Sequence, residues 1–285
     1  MAVDVAGVSG YGRRIRGPSA LGGDMRRFLH LTWTLAVTDF KLRFFGSILG
    51  YIWQLMRPLM LFAVLYFVFS EFVKIGQQAP NFAVVLLLGI VTFTFFADAT
   101  SGAISSLVDR ENLVRKIHFP RLVVPLSVVL TAFFNFLINL VAVGVFAIAN
   151  GVDPRLSWLQ FPVLILVLAI WCVGLAMLLS ALYVQARDVH PIWEVVTQAM
   201  FYAAPVIYPI EAIPKPEWGQ LVMLNPMAVI IEQNRFAVID PNAPNAVEAM
   251  AASWHVVIPI TIVLVSIGLG FWIFNRQAPK IAEQI

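Results

Sequence analysis

Six long apolar stretches, near residues 56–73, 82–104, 122–149, 159–184, 191–210 and 254–274, decide what this chain can fold into. Each is close to or longer than the roughly 20 residues an α-helix needs to cross a ~30 Å hydrocarbon core. Inside a bilayer each backbone N–H and C=O must find its partner within the chain, which a helix provides. The expectation is an all-α membrane protein with six transmembrane helices. Composition agrees: Asp, Glu, Lys and Arg together make up 12% of residues, about half the usual share. The third stretch would reach ~42 Å at about 1.5 Å per residue, so it tilts or projects beyond the bilayer.

Charge sets the expected orientation. Placing both termini in the cytoplasm puts 15 of the 19 Arg/Lys on that side and leaves Lys74, Arg155, Lys215 and Arg235 outside. That bias is the positive-inside pattern of a multi-pass plasma-membrane protein. Residues 1–24 have no continuous apolar core, so they read as a disordered cytoplasmic tail and not as a cleaved signal; residues 25–285 form the membrane domain. Between Arg26 and Phe44 a stripe of Leu29, Trp33, Val37, Phe40 and Phe44 lies roughly opposite Arg27, Thr34, Thr38 and Lys41. It is read as an N-terminal amphipathic helix in the interface or as an extension of the first span. The long connection before the last span holds Asn225-Pro226, a helix-start signal. Two short helices within about 216–238 are expected there, as a re-entrant hairpin that caps a cavity or packs on the outer rim. Gly174, Ser266 and Gly270 are read as sites of close helix contact. No internal repeat is visible.

A polar island, Asp109 to Arg121, interrupts the apolar pattern between the second and third stretches. Its four cations (Arg110, Arg115, Lys116 and Arg121) place it in water, on the cytoplasmic side by the same charge rule. A short helix pinned between two spans is a handle that a soluble partner can push. Catalytic chemistry has little to work with. Cys172 is the single cysteine, and His30, His118, His190 and His255 lack metal-ligand spacing. No G-x-x-x-x-G-K-[ST] loop occurs, so the chain carries no phosphate-binding loop of its own. A net charge of +3 gives no reason to expect nucleic acid. Asp98 and Glu194 are the ionisable residues at depth; Asp98 meets an aqueous path or a neighbouring helix end, or snorkels to the interface. The Arg187-Asp188 and His190 group lacks the partner carboxylates or cysteines of an active site.

Four blocks, in order, carry a resemblance. They are Gly46-Ser47-Ile48-Leu49-Gly50-Tyr51-Ile52-Trp53 with Pro58, and Leu113-Val114-Arg115-Lys116-Ile117-His118-Phe119-Pro120-Arg121 with Pro125. The third is Ala186-Arg187-Asp188-Val189 leading to Ala204-Pro205-Val206-Ile207-Tyr208-Pro209, and the fourth is Leu224-Asn225-Pro226-Met227 with Arg235. Together they span about 47–235 and resemble the membrane subunit of type-2 ATP-binding-cassette exporters of lipid-linked polysaccharides such as O-antigen, teichoic acid or galactan. Arg57 departs from the pattern, which has a small polar residue, commonly Asn, at that place.

The resemblance implies a permease without catalytic residues, metal or cofactor of its own. It would work as a homodimer with two separate ATPase subunits that hold ATP and Mg, within membrane lipid and on a polyprenyl-linked glycan. Residues 26–44 would be the interface helix and 109–119 the coupling helix, with Asp109, Glu111, Arg115, Lys116, His118 and Pro120 meeting the ATPase. Residues 216–238 would be outer gate helices, with Asn225, Pro226, Glu232 and Arg235 as gate residues. The path between two copies would be lined by the first and fifth spans. On those spans Tyr66, Phe69, Phe201, Tyr202 and Tyr208 either slide along the apolar faces of sugar rings or serve ordinary helix packing. Two other functions remain in view: an exporter of small amphiphiles or drugs, and a membrane enzyme acting on polyprenyl-linked sugars.

Overall fold

The structure is a computed structural model that describes residues 24–44, 48–74, 80–115, 119–250, 253–279 and 281. The expected tail therefore lies outside the described residues. The described residues are helical throughout, without a strand. Five helical segments are long and apolar enough to cross a membrane: Trp53–Phe72, Phe82–Ile104, Val123–Ala149, Leu156–Gln185 and Trp254–Gln277. Exposed tryptophans include Trp254 and Trp272, near the two ends of the last of these segments. From Trp254 to Trp272 the helix rises ~27 Å, close to the hydrocarbon thickness those aromatics would frame.

Helix α1 (Met25–Phe44) is started by Asp24, whose Oδ1 accepts the backbone N–H of Arg26 at 2.9 Å. Its inward face is Phe28, Thr32 and Ala36, against α6 (Val123–Ala149). The Leu29–Trp33 stripe points outward instead, 59% and 56% exposed. An outward apolar stripe suits a helix lying against lipid.

Helix α2 (Ile48–Phe67) continues as a π-helical turn over Val68–Phe72. Helix α3 (Phe82–Ile104) is buried on nearly every side and touches α2, α6, α7 (Gln160–Gln185), α8 (Val189–Ala203) and α10 (Pro226–Val238). It is the central post, as its all-round apolar sequence requires. After it come two single helical turns, α4 (Ser106–Asp109) and α5 (Glu111–Val114).

Helix α6 stops where Gly151 takes φ +77°. Gly151 N–H then donates to Ile148 O and Val152 N–H to Ala147 O, closing the last carbonyls.

The expected fifth crossing, 191–210, differs. Helix α8 ends at Ala203, and Ala204 is extended ahead of Pro205. Proline lacks an N–H to continue the ladder and drives its predecessor out of the helical region. The 15 residues of α8 rise ~22 Å. Residues 204–209 then turn back onto α3, where the Val206 carbonyl lies 3.3 Å from the position a Cβ would take on Gly89. Among the described residues, five helices long and apolar enough to cross and one shorter helix stand where six spans were expected.

Next come α9 (Pro216–Val222), α10, a single turn α11 (Ala246–Ala249) and α12 (Val257–Gln277). Phe28, Leu107, Val114, Leu122, Phe274 and Ile281 form one apolar cluster, so α1, α4–α5 and the end of α12 share one end of the molecule. That end also holds Arg26, Arg27, Arg110, Arg115 and Arg276, and we call it the basic end.

Helix α12 lies on α7 through two glycines, the close contact expected of them. A Cβ on Gly270 would sit 2.2 Å from Gly174 O, whereas one on Gly268 would meet nothing within 4 Å. Gly270→Ala should therefore lower the unfolding midpoint in detergent, by about 1–3 kcal/mol equivalent. Gly268→Ala should leave it level or raise it by about 0.5–1 kcal/mol, because alanine favours a helix interior. Equal midpoints for the two variants would contradict this packing.

Candidate functional site

Two cavities meet along one side of α3. The first, about 560 Å³, opens at the basic end between Asp39 and Arg43 of α1, Gln54 and Arg57 of α2, Asp98 and Ser101 of α3, and Thr131 of α6. The second, about 530 Å³, lies farther along α3 and is lined by Pro58, Phe93, Thr94, Phe201 and Tyr202. Arg57, Asp98 and Ser101 belong to both, so they form the waist. Arg57 and Arg43 are the cations whose fields reach Asp98. Asp98 faces the groove where the two cavities meet.

The groove's far wall is α8. Its side chains at every fourth position, Glu194, Gln198 and Tyr202, line the second cavity and are exposed. Trp193 docks this helix on α3, its Nε1–H donating to Thr100 Oγ1 at 3.0 Å. His190 Nδ1 lies 3.6 Å from Glu194 at the helix's basic end. Gln54, Arg57 and Gln198 were not singled out as lining residues by sequence reasoning. The signal was present: a polar residue every four positions in an apolar helix marks a face that avoids lipid.

The five aromatic candidates separate. Phe201 meets Phe93 edge-to-face at 5.0 Å, and Phe201 and Tyr202 both line the groove. Tyr66 stacks on Phe62 and Phe82, and Phe69 packs on the core, away from either cavity. Tyr208 O–H donates to the Tyr202 carbonyl at 3.1 Å, fastening the turn after α8.

At the basic end, Asp109 is exposed and accepts the Ser105 hydroxyl at 2.7 Å. Glu111 and Arg115 form a loose pair at 3.7 Å, each about half exposed. Lys116 and His118 lie outside the described residues, and Pro120 is buried before α6. The segment 109–119 is a single turn, α5, in its described part. Arg110, one of the island's four cations but not among the residues expected to meet the ATPase, ties this segment down. It pairs with Asp39 of α1 and donates to Ser127 Oγ of α6 at 3.2 Å.

At the opposite end Asn225 caps α10, its side chain accepting from Met227 N–H at 3.0 Å, with Pro226 at the first helical position. The helix's last carbonyls, on Ala237 and Val238, accept from Ser157 Oγ and Trp158 Nε1. Arg235 grips Glu211 with two hydrogen bonds, at 2.7 and 3.0 Å, and reaches Glu232 at 3.1 Å. Sequence reasoning found Glu232 and Arg235 but not Glu211, which arrives from a loop 24 residues away. Burial works against the Arg235 charge, yet hydrogen-bonded Glu211 and the charges of Glu232 and Asp240 hold it above its ordinary value. Glu232 is 1% exposed, and burial pushes it up to about 7 against the pull of Arg235. The two shifts are compatible because Arg235 is already committed to Glu211. The buried third member carries the desolvation penalty.

No group of three or more His, Cys, Asp or Glu suited to a metal occurs among the described residues. The geometry offers a polar-to-aromatic groove.

Comparison with known proteins bears on what such a groove does. A family model described as ABC-2 type transporter matches residues 30–238. The chain is 28% identical over 263 residues to the O-antigen export system permease protein RfbA of Myxococcus xanthus, covering 92% of this chain and 98% of that protein. It is 28% identical over 246 residues to a protein of the same name from Klebsiella pneumoniae, covering 86% and 91%. It is 22% identical over 252 residues to the polysialic acid transport protein KpsM of Escherichia coli, covering 86% and 93%.

Burial of Glu232 makes stability depend on pH. The folded-state value of Glu232 lies above the 4.5 of a free glutamate, so the folded state holds the proton more tightly. The stabilisation is complete below about pH 4.5 and is lost as pH rises through about 7. Unfolding midpoints taken in detergent from about pH 5 to about pH 8 should fall with pH. Glu232→Gln should flatten that slope. A slope unchanged in the variant would assign it to another group.

Proposed function

The chain belongs to the ABC-2 type transporter family, and on that premise we propose that it is the permease of a bacterial polysaccharide exporter. It sits in the plasma membrane with both termini in the cytoplasm and passes a polyprenyl-linked glycan of the O-antigen, teichoic acid or galactan kind. Two copies enclose the path, and two separate ATPase subunits, holding ATP and Mg, drive it. The chain itself is a transport subunit, not an enzyme.

One observation carries this reading. Arg57 on α2 and the Glu194–Gln198–Tyr202 stripe on α8 are exposed along one groove of a membrane-embedded bundle. A cation or carboxylate facing lipid costs at least about 2.5–3.5 kcal/mol, so these faces turn toward water and a second copy. The polar floor suits hydroxyls, and Phe93, Phe201 and Tyr202 offer apolar ring faces to the C–H faces of sugars. The relatives named for O-antigen export and polysialic acid transport support a glycan over a small amphiphile.

The basic end supports the coupling assignment. Glu111 and Arg115 are accessible to a soluble partner, while Arg110 links the same segment to α1 and α6. A push on α5 therefore reaches both helices. At the far end, the α9–α10 hairpin is the outer gate, with Asn225, Pro226, Glu232 and Arg235 holding its shape.

Depleting the subunit should leave lipid-linked glycan on the cytoplasmic side and leave small-drug efflux unchanged; loss of efflux with normal glycan export would reverse the assignment. Arg115→Glu or Lys116→Glu should reduce export at least tenfold while membrane insertion persists, a reversed charge at a docking contact costing about 1.4 kcal/mol or more. Tyr202→Ala should slow export with an unchanged unfolding midpoint. Normal transport by these variants would remove the coupling and path assignments respectively.

A further inference from the structure

The interface between α3 and α10 holds an unusual concentration of buried polar atoms. Thr92 Oγ1, Asn234 Oδ1, Asn234 Nδ2 and Arg235 Nε each lack a hydrogen-bond partner among the described residues. Their side chains are 1%, 1% and 4% exposed. All three residues line one void of about 10 Å³, with Gly89 of α3 and Ile231 of α10 at its edge. Buried groups of this kind are nearly always satisfied, by protein or by ordered water.

We propose that one water molecule sits in this void, bound by Thr92, Asn234 and Arg235, and latches the α9–α10 hairpin to the central helix. The chemistry is complementary. Arg235 Nε–H and an Asn234 amide hydrogen donate to the water oxygen, and the water donates to Asn234 Oδ1 and Thr92 Oγ1. Three or four polar partners is the usual complement of a buried water, and the volume admits one water and nothing larger. A metal cation is disfavoured by the adjoining guanidinium, and a halide exceeds the space. The same guanidinium grips Glu211 and Glu232 through its other nitrogens, so the water joins α3 to the whole triad. Thr92 is thus a positioning residue: it acts on the hairpin through the water and need not touch anything in the groove.

This goes beyond the permease reading, and its readouts need no transport. The full chain in lipid nanodiscs is compared with Thr92→Val and Thr92→Ser by amide hydrogen exchange. Valine keeps the shape of threonine and removes its hydroxyl. The α10 amides should exchange about tenfold faster in Thr92→Val, with α6 and α7 amides unchanged, and Thr92→Ser should restore the slow rate. A map of the ATPase-bound complex that resolves waters should show one peak within hydrogen-bond distance of all three side chains. Exchange in Thr92→Val as slow as in the parent, or in Thr92→Ser as fast as in Thr92→Val, overturns the latch. So does a direct Thr92–Asn234 hydrogen bond without a peak. Loosening of α10 when chloride is replaced by gluconate would identify a halide and also overturn it.

Discussion

A charge or a row of amides cannot be left facing hydrocarbon, and that constraint organises this molecule. Its spans are so apolar that each polar side chain at depth needs a specific reason to be there. Asp98 and Arg57 share the waist of a groove. Glu232 and Arg235 are buried in a triad closed by Glu211. Thr100 holds Trp193. These groups divide into two kinds, those paired within the chain and those facing a cavity. The second kind collects on one side of α3, against α2 and α8.

The bundle was legible in the sequence because hydrophobic length is a strong signal and helices are the only elements available to such a chain in lipid. The start of α10 was legible too, since Asn225 and Pro226 are cap and first-turn residues whose chemistry is local. The glycine contact between α7 and α12 followed from residue size. The end of α8 was misjudged because hydropathy continues through Val206 and Ile207 while Pro205 has already stopped the helix. Averaged hydropathy cannot see a missing N–H. Glu211 escaped notice for another reason: it meets Arg235 through a turn, and no periodicity links a loop carboxylate to a helix 24 residues on. The faces of α1 were only half read. Its Leu29–Trp33 stripe is real but looks outward, and the protein-facing side is Phe28, Thr32 and Ala36. In a bilayer both faces can be apolar, so amphipathicity no longer says which is inside.

Fixing α10 by ions and amides instead of by more leucine has a physical consequence. An apolar contact is non-directional, and in lipid it gains little over contact with acyl chains. A hydrogen-bonded triad has one good geometry and loses much if it shifts. Breaking a buried pair by removing one partner leaves an uncompensated charge, so intermediate positions of α10 are disfavoured relative to the docked one. Such contacts separate states sharply. They also make the docked state sensitive to a single proton on Glu232, whose burial pushes it up to about 7.

Helix α3 then joins the two ends mechanically. It is the most enclosed helix of the bundle, so it is held by neighbours along its length and moves with them as a unit. Its middle faces α10 at Thr92, and its C-terminal end leads through Ser105 into α4 and the Arg110 anchor. Arg110 thereby ties the basic-end segment to α1 and α6, and α3 connects it to the side that α10 covers. The groove lies along that same helix, between the two ends it joins.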